Sequence, residues 1–338
     1  MMDGPDPAAV LAAFRIAGRA VDLVEVSGAW SNRVYRLTTD TGRRYAVKQL
    51  LDTWGDTGWQ AWLDVAWEFE RSAFAAGVEM PEPIANPADD GCLAWVASRA
   101  NGAPVPVRLH RWVDGGAIGP GPVDRAVARW AGRVLATLHG LRFRPVERTA
   151  FPALGTESAD RWPELVRAAV DARASWAGLL MEAEPAVRTI AELSRQAPPS
   201  DEPEPMSHGE IDQKNIVRSP RGPVLCDWDV AHPVVPRQEL AEAAMSMAGW
   251  KRVHIARTVV SAYEAAAGRQ VTVAPADLGP AMMRSLDWIR FNVERAIGTR
   301  PAGDGERARS SGLVPGLVQQ LPQHVYVAQR VPQLLARG

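Results

Sequence analysis

Only two of the 338 residues are cysteine, Cys92 and Cys226, far apart and outside any CxxC spacing. A disulfide framework and a thiolate zinc site are therefore poor readings, and both thiols are expected to be reduced core residues of a cytoplasmic protein. Excess charge is lacking as well. Lys and Arg number 38 against 39 Asp and Glu, a net charge of −1, so nothing marks nucleic acid or an anionic membrane as a partner. No apolar run nears the ~20 residues of a membrane span. The start, "MMDGPDPAAVLAAF", has neither the basic residues nor the long apolar stretch of a secretion signal. Internal repeats are absent, and oligomeric state leaves no trace.

What is present is an ordinary soluble composition, 46% apolar and 23% charged, on a chain long enough for one large or two ordinary domains. Thirteen tryptophans read first as core packing. "DPAAVLAAFRIAGRA" (6–20) reads as an opening helix with Asp6 as N-cap and Pro7 in its first turn. Residues 21–50 then switch to period two around the turn "TDTGRR", a β-meander ending in "YAVKQL". A helix is expected over Trp59–Ala76, then short strands near Ile84 and at "CLAWVAS". "VRLHRWVDGG" runs from a strand into a glycine pair and suggests a boundary, with a β-rich lobe over 1–107, a hinge over 108–116 and a helical lobe over 117–338. "DRAVARWAGRVLATLHGL" carries the clearest apolar stripe at helical spacing. Residues 159–196 suggest one or two helices, and the tail "ARSSGLVPGLVQQLPQ" a looser segment.

The chemistry is concentrated in "SHGEIDQKN" (207–215) and in "VLCDWD", which brings Asp227 and Asp229. Carboxylates crowded this way repel unless a cation or a reaction uses them. Mg²⁺ bound to nucleotide phosphates takes few protein oxygens, and Asn215 with Asp227 offers an amide and a carboxylate. An acid a few residues ahead of the asparagine can orient a substrate hydroxyl and accept its proton, the order found in a kinase catalytic loop. Phosphoryl transfer also needs a strand lysine after a glycine-containing turn. Lys48 meets that description behind "SGAWSN", where Gly28, Ser31 and Asn32 are nucleotide-site candidates. A helical glutamate should hold that lysine. Glu70 lies on the apolar side of its helix, whereas Glu68 neighbours polar residues and is the second candidate.

With these segments together, the chain resembles the aminoglycoside phosphotransferase and choline kinase-like family, of protein-kinase-like fold. "GAWSNRVYRL", "YAVKQL", "GVEMPEPI", "LATLH", "SHGEIDQKNIV", "VLCDWDVAHP" and "AYEAAAG" carry the likeness over roughly 25–268. The resemblance implies an α+β fold of two lobes and an ATP- and Mg²⁺-dependent kinase. The acceptor it implies is a hydroxyl of a small molecule: an aminoglycoside-like antibiotic, as in resistance, a sugar or an amino alcohol. By the same resemblance His208 fixes the loop and Glu210 stands at the catalytic-base position. Asn215 and Asp227 are then the metal ligands, and Lys48 with Glu70 positions phosphate; Asp212, where the family often has a polar residue without a catalytic role, is a second carboxylate close enough to be an accessory candidate. The adenine is expected on the backbone between Leu109 and Val113, with Asp229 as structural support.

Glu210 is a departure, because the family carries aspartate there. One methylene moves a carboxylate by about 1 Å or more, and a displacement on that scale can cost ~10²-fold in rate. The alternative to an active kinase is a nucleotide-binding regulatory protein without transfer. A cationic acceptor would call for acids in the later helices, with Asp287, Glu294, Glu239 and Glu242 as candidates. Trp250 and Trp288 are candidates for the acceptor pocket.

Overall fold

The computed structural model describes residues 4–26, 32–51, 58–145, 157–197 and 204–336. Gly28 and Ser31 lie outside them. In chain order the first elements are α1 (Pro7–Ala13), β1 (Ala20–Val26), β2 (Arg33–Thr39), β3 (Arg44–Gln49), α2 (Trp59–Ala75), β4 (Pro83–Ile84), β5 (Ala94–Ala97), β6 (Pro104–Arg111) and β7 (Gly116–Ala117). After them come α3 (Arg125–Leu141), α4 (Glu157–Asp160), α5 (Trp162–Asp171), α6 (Ala177–Glu182), α7 (Glu184–Gln196), β8 (Met206–Ser207), β9 (Ile216–Ser219), β10 (Gly222–Leu225) and β11 (His232–Pro233). The chain ends in α8 (Pro236–Met247), α9 (Val253–Ala267), α10 (Gly279–Ile297), α11 (Asp304–Ala328) and α12 (Val331–Leu335). Two compact units emerge, one of residues 1–119, 137–151 and 205–233, the other of 120–136, 152–204 and 234–338.

The first unit is built on an antiparallel sheet in the order β1-β2-β3-β6-β4, with β5 also paired to β6. Alternation along β3 sends Tyr45 and Val47 into one face, where they meet Leu37, Val107, Leu109 and the Val10, Leu11 and Phe14 of α1. Arg44, Ala46 and Lys48 point the other way, toward the side that α2 covers. Two small sheets, β10-β9-β7 and β11-β8, carry the loop after Ser207 and the turn after Leu225. The second unit is helical in its described residues. There α10 packs against α7 and α11, and α8 against α9, around Leu240, Val259, Leu286, Ile289, Val293 and Val318.

Three local expectations change. The opening helix starts as read, Asp6 accepting from Ala8 N, but it stops at Ala13. Arg15 has φ 48° and Ile16 N turns back to Leu11 O, which closes the helix and frees the chain for β1. Residues 157–196 form four helices rather than one or two, because Pro163 and Pro185 open new ones and Arg173 at φ 53° ends another. The looser tail is instead a helix of 25 residues containing Pro315 and Pro322. Its buried Ser310, Val314, Val318 and Leu321 recur at helical spacing, and that packed stripe offsets the lost backbone bonds.

Candidate active site

Register brings two cations face to face, since Lys48 on β3 pairs directly with Arg108 on β6. Side by side they would repel. Asp229 resolves this by taking one on each oxygen: Lys48 Nζ at 2.5 Å from Oδ2, and Arg108 Nη1 at 2.6 Å from Oδ1. Lys48 bonds to Asp227 Oδ1 as well, and Arg108 reaches back to Glu70 on α2. His110, two residues along β6, closes the chain with Nε2 at 2.8 Å from Glu70 Oε1. Glu70, Arg108 and Asp229 are 0%, 1% and 2% exposed, so the network exists only because each charge has a partner. Burial opposes the Lys48 ammonium, but Asp227 and Asp229 outweigh it and raise the amine above the ordinary lysine range. Burial likewise opposes the Asp229 carboxylate, yet Lys48 and Arg108 hold it well below the usual range. Glu70 is lowered in the same way, burial being overcome by Arg108 and His110.

The turn that delivers these acids is itself unusual. Asp227 follows β10 in a left-handed conformation, φ 72° and ψ 58°, uncommon for a residue with a side chain. A single 3₁₀ turn, Trp228–Val230, then directs Asp229 inward while Asp227 remains 36% exposed.

The loop from His208 to Asn215 is fixed from within. His208 is buried, and its Nε2 lies 2.9 Å from the Cys226 carbonyl. A carbonyl only accepts, so Nε2 carries the proton and Nδ1 accepts from Glu210 N at 3.3 Å. Both ring nitrogens are thereby used, and the ring stands edge-on to Trp228 with centroids 4.9 Å apart. Asp212 caps the 3₁₀ turn Gln213–Asn215 through Lys214 N at 2.9 Å. Asn215 Nδ2 donates to the Glu210 carbonyl at 2.9 Å and lies 3.3 Å from Glu210 Oε2, so Oδ1 is the amide atom left to bind a cation. Cys226 N bonds to Asn215 O at 2.8 Å, which ties the end of β10 to this turn. Burial pushes Glu210 up, but Lys214 and Asn215 prevail and lower it; burial raises Asp212, with Lys214 only partly opposing.

Among the described residues no three His, Cys, Asp or Glu side chains gather as a metal cage. A nucleotide-bound Mg²⁺ does not require one, and Asp227 with Asn215 Oδ1 offers the one or two oxygens it takes from protein. The donor set fits that ion.

The chain matches the phosphotransferase enzyme family over residues 22–273, more than half its length. It belongs to that family. As a phosphotransferase its fold is shared with solved kinases of distant sequence. Spectinomycin phosphotransferase in complex with ADP and spectinomycin superposes with TM-score 0.67 at 13% identity, over 91% of this chain and 93% of that one. An aminoglycoside phosphotransferase from Alicyclobacillus acidocaldarius gives 0.61 at 15%, over 98% of both. A microcompartment-associated aminopropanol kinase gives 0.62 at 14%, over 95% and 97%. No curated protein sequence matches the chain. The α+β, kinase-like fold expected from the sequence is thus the fold observed.

Within this phosphotransferase, Lys48, Asp227, Asp229, Asn215, Glu210 and His208 share one region of the first unit. Two expectations are corrected. Glu70 is the inward-facing glutamate of α2, and Glu68 is exposed, but the side chains Glu70 holds are Arg108 and His110, not Lys48. Leu109 does not offer backbone to a ligand, because it lies inside β6 with β3 on one side and β4 on the other. Val113 lies past the end of β6 and is half-buried. Asn32 accepts from Leu51 N at 3.1 Å through its side chain. Arg108 was missed by reading the sequence. Its signal was present in "VRLHR", where alternation places Arg108 and His110 on one face with buried Val107 and Leu109 on the other.

Proposed function

We propose that the chain moves the γ-phosphoryl group of ATP, with Mg²⁺, to a hydroxyl of a small molecule. The observation that carries this is the convergence of Lys48 on Asp227, beside Asn215 and Glu210. In that reading Lys48 exchanges its carboxylate partners for phosphate oxygens when nucleotide arrives. Asn215 Oδ1 and Asp227 would hold the metal, which when bound screens the phosphate charge. Glu210 orients the acceptor hydroxyl and accepts its proton. Catalysis is then mainly positioning and charge neutralisation. His208 fixes the loop, and the backbone near Val113 takes the adenine.

The acceptor would be an aminoglycoside-like antibiotic, a sugar or an amino alcohol. Of the acids considered for a cationic acceptor, Asp287 bonds to Ser158 at 2.5 Å, Glu242 pairs with Arg284, and Glu294 is held by Arg290 at 2.8 Å and Arg300 at 3.2 Å. Trp250 and Trp288 are not open platforms, since they stack on His324 and Phe291.

Incubation with Mg-ATP and a mixed library of hydroxylated metabolites and antibiotics, read by mass spectrometry, tests the reading. A product heavier by one phosphate is the expected result. Binding of Mg-ATP with no product across the library favours the second reading, a nucleotide-binding regulator. The glutamate at position 210 is the observation behind that alternative.

A further inference from the structure

The Glu210 carboxylate is gripped by a side chain that phosphoryl transfer does not by itself require. Lys214 Nζ is 3.1 Å from both Glu210 oxygens and 3.6 Å from Asp212 Oδ2. Its position is imposed by the backbone. Asp212 caps the turn that carries Lys214, and Asn215 Nδ2 ties that turn to the Glu210 carbonyl at 2.9 Å. The Lys214 side chain is 51% exposed, so it plugs no core and the fold does not depend on it. An aspartate at 210 would end about 1.5 Å short, the length of one carbon–carbon bond, and would leave the ammonium behind. A free glutamate carries one more rotatable bond than aspartate and loses that freedom when held from two sides, by Lys214 and by Asn215.

We propose that Lys214 is a positioning residue for phosphoryl transfer, fixing the Glu210 carboxylate so that the longer side chain presents its oxygen in one place. The inference rests on the reading of Glu210 as the group that orients the acceptor. It makes Glu210 and Lys214 a matched pair, in which the glutamate is no handicap. Replacing Glu210 by the shorter acid then slows the enzyme.

The test follows ADP formation from Mg-ATP in single turnover, with water as acceptor, and Mg-AMP-PNP affinity by calorimetry. Lys214→Met should slow ADP formation about 10- to 100-fold and leave nucleotide affinity unchanged, while Lys214→Arg restores most of the rate. Glu210→Asp should also be slow, and adding Lys214→Met to it should cost little more, because the pair is already broken. A wild-type rate for Lys214→Met, or losses that simply multiply, overturns the inference. Glu210→Gln separates the two levels. If it runs at the wild-type rate, the base assignment falls and the inference with it; if it is slow while Lys214→Met is not, the inference alone falls. A crystal structure of Lys214→Met gives a readout without turnover. The Glu210 carboxylate should leave its 3.3 Å contact with Asn215, and an unmoved carboxylate counts against the proposal.

Discussion

Arg108 and Asp229 meet at 2.6 Å, Nη1 to Oδ1, where water hardly reaches either. The pair joins β6 to the turn after β10, and through Glu70 it also anchors α2. Removing one member of a buried ion pair strands the other, at a cost of about 3–5 kcal/mol. Arg108→Met leaves Asp229 with Lys48 and Glu70 with His110 as their remaining partners. Its unfolding free energy, read from urea denaturation, should fall by up to about that amount. Adding Glu70→Gln should recover part of the loss by removing one carboxylate that has lost its guanidinium. A wild-type midpoint for Arg108→Met would show that the network does not hold the unit together.

Lys48 should control nucleotide affinity more than folding. A ligand that binds only the folded state stabilises it by about 2.7 kcal/mol at a hundred times its dissociation constant. Wild-type protein should therefore melt higher as Mg-ATP is added. Lys48→Met removes the cation nearest Asp227 and Asp229, so the same nucleotide concentrations should give a much smaller shift. Equal shifts in the two proteins would remove Lys48 from the nucleotide site.

How far the sequence reaches depends on how local each signal is. The places of Lys48 on a strand, Asn215 in the loop turn and Asp227 at a strand end were legible because strand period and loop spacing fix them without knowledge of the rest of the chain. The partner of Glu70 was not legible, because it depends on the pairing of β3 with β6 and on which strand faces α2. Arg108 looked like an ordinary polar residue of a half-buried strand until Asp229 arrived from 121 residues away. Pro315 and Pro322 misled for the opposite reason. Their local cost is real, but packing of the Val314, Val318 and Leu321 stripe overrides it. Asp6 shows the reverse success, a cap written entirely in neighbouring residues.

Gly209 separates His208 from Glu210 and has φ +79°, where a side chain is strained. A Cβ there would run into the His232 ring, whose Nδ1 is 2.8 Å from the Val230 carbonyl. Gly209→Ala should therefore shift the loop as well as strain it, at about 1–2 kcal/mol for the backbone conformation alone. ADP formation should drop at least tenfold, a loss on the scale expected for misplacing Glu210 by an ångström. Unchanged turnover in a folded Gly209→Ala protein would mean that the loop tolerates movement and that Glu210 is not tightly placed.

The second unit contains a proton-sensitive position of its own. His324 stacks on Trp250 with centroids 4.2 Å apart and an interplanar angle of 21°. Its Nδ1 is buried and meets no hydrogen-bond partner among the described residues. Burial first, and the nearby Lys251 charge second, push the imidazole down to about 4. An unfolded histidine titrates near 6.5, so between about 6.5 and 4 the unfolded chain binds the proton and the folded one does not. Stability from this site is complete above the upper value and drains away as pH falls toward the lower, by on the order of 2–3 kcal/mol. Other groups also titrate in that window, so the difference from a variant isolates this one. His324→Phe keeps a ring against Trp250, removes the unpaired nitrogen and cannot be protonated. It should match or exceed wild-type stability at pH 7.5 and lose less on going to pH 4.5. Parallel losses for the two proteins would show that His324 is already as easy to protonate in the fold as out of it.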